Sequence, residues 1–120
     1  MSQAFFNATW KDQPVQVMAG WDGVESELYV KVFYLDELGE VDESAGLLLD
    51  TWKKVDPRPT EITDGAAALV MGIQDKLARL DIAIPQLMLG EILAHMVADD
   101  NHTRSIYDDA GNRRVLNGAS

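Results

Sequence analysis

The sequence predicts an α+β fold: an N-terminal antiparallel β-meander of three or four strands packed on a two-helix hairpin, followed by a short β or irregular tail. Three observations predict it. Residues 4 to 35 are dense in Val, Phe, Tyr and Trp and are cut twice by turn chemistry, at Lys11-Asp12-Gln13-Pro14 and at Asp22-Gly23. Residues 64 to 97 instead repeat apolar side chains every three or four positions. Between those halves lies an acidic stretch with Gly39, Gly46, Pro57 and Pro59, the composition of exposed connection.

The first strand is expected at about 4–10 and the second at about 15–21. The third, 27–35, has the clearest pattern: Leu28, Val30, Val32 and Tyr34 fall on one face by the period of two, and Tyr29, Lys31 and Phe33 on the other. A second face that is only partly apolar suits a sheet covered on one side. Short connections between consecutive strands favour an antiparallel meander over crossovers. Leu47, Leu48, Leu49 and Trp52 interrupt the acidic stretch and demand burial, as a fourth strand or a helical turn, or else form an exposed binding patch.

The first helix is expected over about 64–80, where Leu69, Val70, Ile73, Leu77 and Leu80 make one stripe and Thr63 or Asp64 caps the first turn. Pro85 opens the second, at the first helical position, with Leu89, Ile92, Leu93, Met96 and Val97 as its buried stripe. Residues 81–84 are too few for anything but a tight connection, so the helices form a hairpin on the sheet. The tail, Ser105 to Leu116, closes a hairpin or runs as a loop around Asp108-Asp109-Ala110-Gly111-Asn112. At 120 residues, with no composition shift that marks a second core, residues 1–120 read as one domain.

Composition narrows the function. The net charge is −10, and the closest basic pairs are Lys53-Lys54 and Arg113-Arg114, so nothing supplies the basic stripe that a nucleic-acid backbone requires. There is no cysteine, which removes thiolate nucleophiles, disulfides and Cys-ligated zinc. The N-terminus lacks a basic region followed by a long apolar one and no apolar run reaches the length of a span, so neither a membrane nor secretion is expected and the chain reads as cytoplasmic. No nucleophile elbow, phosphate-cradling glycine loop or EF-hand pattern occurs. No catalytic residue, no metal ligand set and no cofactor is therefore expected.

What remains is a non-catalytic protein-binding module, an inhibitor or neutraliser of a basic partner, with Asp36, Glu37, Glu40, Asp42 and Glu43 as the carboxylates that meet it. Two other readings compete. A homo-oligomeric assembly or accessory protein would join copies through unpaired strand edges or the Leu47 to Trp52 patch. A small-molecule or metal binder would use Glu91, His95 and Asp99, which stand four apart and share one edge of the second helix, yet lack the ligand count that a metal site requires. Arg104, Arg113 and Arg114 concentrate positive charge near the tail, opposite in sign to 36–64 and suited to pairing with it.

Overall fold

A computed structural model describes residues 1–117. It contains β1 (Gln3–Trp10), β2 (Gln13–Asp22), β3 (Glu27–Tyr34), β4 (Leu47–Lys54), α1 (Asp64–Ala78), α2 (Gln86–Ala98), β5 (Arg104–Tyr107) and β6 (Arg113–Val115). The strands form one sheet in the order β4-β3-β2-β1-β5-β6. The meander β1 to β4 is antiparallel throughout, with tight turns after β1 and β2 and a longer connection, residues 35–46, before β4. Lys11 and Asp12 close the first hairpin with φ of 48° and 65°, the left-handed pair that a two-residue turn needs to match strand twist. Asp22 holds the next turn by accepting the Val24 and Glu25 amides on Oδ1.

The tail is the part that periodicity could not place. After α2 the chain returns to β1 and runs parallel to it as β5, with Ala4 opposite Ser105 and Phe6 opposite Tyr107, and β6 then turns back antiparallel. The sheet is thus mixed, and the expected β or irregular tail is its second edge.

One face carries the core. Ala4, Phe6, Val15, Val17, Ala19, Trp21, Leu28, Val30 and Val32 meet Ala66, Val70, Ile73 and Leu77 of α1 and Met88, Leu89, Ile92 and Met96 of α2 in one buried cluster. Thr63 caps α1 by accepting the Ala66 amide at 3.1 Å. Pro85 sits one position earlier than expected, as the residue before the first turn of α2. Arg58 ties off the other end of α2 by donating to the carbonyls of Met96 and Val97. The opposite sheet face has no helix on it among the described residues. There Tyr29 lies across from Gly20, and its hydroxyl donates to the Ser2 carbonyl oxygen, so the phenol is buried although no layer covers it. Any Cβ at Gly20 would overlap that same carbonyl, which is why the strand carries glycine there.

The three tryptophans have three fates. Trp21 is 1% exposed, in the core; Trp10 is partly buried, edge-on to Tyr34; Trp52 stands 60% exposed on the helix-free face of β4. No helix is long and apolar enough to cross a membrane among the described residues.

Candidate protein-binding surface

The carboxylates singled out in the sequence all lie on the connection from β3 to β4. It is a tight loop first and a charged surface second. Asp36 turns its Oδ1 inward to accept the amides of Leu38 and Glu40 at 2.9 and 3.0 Å, and Gly39 takes a φ of 78° to complete the turn. Leu35 and Val41 pair across its neck. Asp42 then caps a 3-10 turn over Glu43–Ala45 by accepting Ser44 N at 3.0 Å and Ser44 Oγ at 2.6 Å. Glu37, Glu40 and Glu43 are exposed and have no such duty.

Two of the five acids therefore shape the loop and three project from it. Asp36, Glu37 and Asp42 share the rim of an open depression of about 670 Å³ with Gln13, Pro14, Leu35 and Leu38. Glu40 and Glu43 lie outside it. Leu38 is 83% exposed, an apolar side chain standing among carboxylates. None of the five acids has an ion-pair partner: the ion pairs of the described residues all involve Glu91 or His95. The tail arginines do not pair with this loop: β5 and β6 stand across β2 and β1 from it, three to five strand spacings or about 14 to 24 Å away. Arg104 instead donates to Gln3 Oε1 at 2.7 Å and lies over the Phe5 ring.

The Glu91, His95 and Asp99 edge resolves into two unrelated arrangements. Asp99 ends α2 in the left-handed conformation (φ 53°, ψ 44°) and accepts the Trp21 indole hydrogen at 2.8 Å, so it points away from the other two. His95 Nε2 stands 3.1 Å from Glu91 Oε2, one helical turn away. Glu91 also accepts Ser105 Oγ at 2.9 Å, Tyr107 Oη at 2.5 Å, and Arg113 Nε and Nη2 at 2.9 and 3.1 Å. Burial acts to raise this carboxyl, but the donors from His95, Arg113, Tyr107 and Ser105 outweigh it and hold the group well below its ordinary range. The Tyr107 hydroxyl is pushed up, first by burial and then by the Glu91 carboxylate it serves.

A carboxylate with its oxygens occupied by four side chains has no lone pair directed at a ligand. The cluster fastens α2 to β5 and β6. Sequence spacing could show the contact between Glu91 and His95, which are neighbours on one helix. It could not show Ser105, Tyr107 and Arg113, which arrive from strands 14 to 22 residues later. No group of three or more His, Asp or Glu side chains is placed to hold a metal ion among the described residues. No protein-family model, curated protein or solved structure matches this chain.

Proposed function

We propose that this protein is a non-catalytic protein-binding module that takes a basic partner at the β3–β4 loop. The observation that carries the reading is the depression beside that loop: carboxylates on its rim that have no ion-pair partner among the described residues, and the exposed Leu38 among them. A partner's Lys or Arg side chains would supply the missing charge, and its apolar surface would cover Leu38. Such complementarity acts mainly on encounter rate and specificity. Asp36 and Asp42 keep the loop in shape, so Glu37, Glu40 and Glu43 are the residues free to meet a partner.

The test separates this loop from net charge in general. Changing Glu37, Glu40 and Glu43 together to Gln, and in a second variant changing Glu25, Glu61 and Asp75 to their amides, removes the same charge at two places, all exposed. Binding of a lysine-rich peptide, followed by fluorescence anisotropy over a range of salt, should weaken about tenfold in the loop variant and show a flatter salt dependence. The remote variant should change it by less than about twofold. Equal weakening in both would mean that the whole molecule's field attracts the peptide and that the loop is not a site.

A further inference from the structure

The acidic loop leads directly into β4, and β4 is the long free edge of the sheet: it spans Leu47–Lys54 and pairs on one side only, with β3. Which of its backbone groups are free follows from one hydrogen bond. Val55 N donates to Ser26 O at 2.8 Å, so the groups of Val55 point toward β3. Antiparallel alternation then turns those of Thr51 and Lys53 the same way and leaves the N–H and C=O of Asp50, Trp52 and Lys54 facing outward. The side chains of these same three residues stand on the helix-free face, because Trp52 is opposite Tyr29.

We propose that this edge pairs with the same edge of a second copy, antiparallel about a two-fold axis at Trp52. A two-fold axis normal to the sheet keeps each side chain on its own face, so outward-facing residues meet outward-facing residues. Centring on Asp50 would put two carboxylates directly opposite each other, which is destabilising. Centring on Thr51 would draw Leu48 into the ladder, and Leu48 is the residue bulged out where the β3–β4 register shifts. Centring on Trp52 avoids both. It places Asp50 opposite Lys54 of the second copy, twice, and stacks the two Trp52 indoles between those pairs.

The side chains are prepared for that register. Asp50 has no ion-pair partner among the described residues of its own chain. Lys54 uses one ammonium hydrogen on the Glu25 carbonyl oxygen, 2.6 Å away, and keeps two. Trp52 would cover most of an indole now 60% exposed. The acidic loops, each at the start of its β4, would lie at opposite ends of the pair, about 34 Å apart and well beyond a Debye length. Like-charged loops are thereby kept apart, and the dimer presents two partner-binding surfaces in place of one. The pairing itself does not depend on what the loops bind.

Sedimentation velocity at high micromolar concentration tests it. The wild-type chain should run as a dimer. Asp50→Lys and Lys54→Asp, each alone, should return it to a monomer, and the two substitutions combined should restore the dimer. Trp52→Pro removes an amide that points away from β3, so it should abolish the dimer while the circular dichroism and melting of the monomer stay near wild type. A wild-type monomer overturns the proposal. So does a dimer that survives both single charge reversals and Trp52→Pro, since it would then be held by another surface.

Discussion

The two edges of the sheet are built on opposite plans. At one end β6 has three residues, and beyond it the Leu116 amide is tied to the Arg104 carbonyl and Asn117 Nδ2 to the His102 carbonyl. A short strand has little ladder of its own, and the Glu91 network supplies what is missing by fastening β5 and β6 to α2 through Ser105, Tyr107 and Arg113. At the other end β4 has eight residues and a full ladder to β3, and it presents its outer side, Trp52 included, to solvent. A charge taken out of water is stable only with its partners in place, so the molecule spends its buried carboxylate where the backbone alone would fray. The edge that can stand by itself is left free for contact. A short edge offers little ladder to another chain; a long one invites pairing.

The largest effect should come from removing the clamp. Glu91→Ala leaves the Arg113 guanidinium, the Tyr107 hydroxyl and Ser105 without their acceptor, and should cost about 3 kcal/mol in urea unfolding, the range seen when one partner of a buried pair is lost. Glu91→Gln keeps an acceptor and should cost about half as much. Arg113 is partly exposed and regains water, which keeps the loss from growing further. A loss under about 1 kcal/mol in Glu91→Ala would mean that β5 and β6 are held by their ladder and that the two edges do not differ in kind.

Acid should act on the same end of the sheet. Burial raises the Asp100 carboxyl, but Thr103 and the amides of His102 and Thr103 outweigh it and bring it to about 2; Glu91 is held well below its ordinary 4.5 by the donors around it. Both groups bind protons less readily folded than unfolded. Their stabilisation is present in full above about pH 5 and is lost as pH falls through 4.5 toward 2. Amide exchange between pH 5 and 2, corrected for intrinsic rates, should show β5 losing protection before β3, and Glu91→Gln should flatten the fall in stability over that range. A wild-type curve no steeper than that of Glu91→Gln would count against the network.

These contrasts also mark how far residues alone could be read. The meander and both helices were legible because each rests on a local period: two in Leu28, Val30 and Val32, three and four from Leu69 to Leu77. The Glu91–His95 contact was legible for the same reason. The parallel seat of β5 was not, since four residues, Arg104 to Tyr107, carry no period long enough to name a distant neighbour. Asp99 lies one residue beyond the helix: as the left-handed terminus it swings out of the 91, 95 line toward Trp21, and nothing in the spacing announces that. The acidic loop was legible as charge. The division of labour within it came only with the turn that Asp36 and Asp42 hold.

The smallest effect should come at the free edge. Its one side-chain tie to the helices among the described residues is Lys76 Nζ donating to Thr51 Oγ1 at 2.7 Å. Burial disfavours the charged form of Lys76, and the positive charges of Lys53 and Arg79 disfavour it further, so the amine is held below its ordinary value. A folded state that binds this proton less readily than the unfolded chain loses stability by keeping Lys76 charged at neutral pH. Lys76→Met would retain the apolar stem, relieve that penalty and give up one hydrogen bond whose acceptor, Thr51, can turn to water. The two changes oppose each other, and the unfolding free energy in urea should move by less than about 0.5 kcal/mol in either direction. β4 is secured by its ladder to β3 and by Leu48 and Leu49 packed on the core, neither of which the substitution touches. A loss as large as that of Glu91→Ala would show that this edge, too, hangs on a single charged group, and the distinction between a clamped edge and a self-sufficient one would fall.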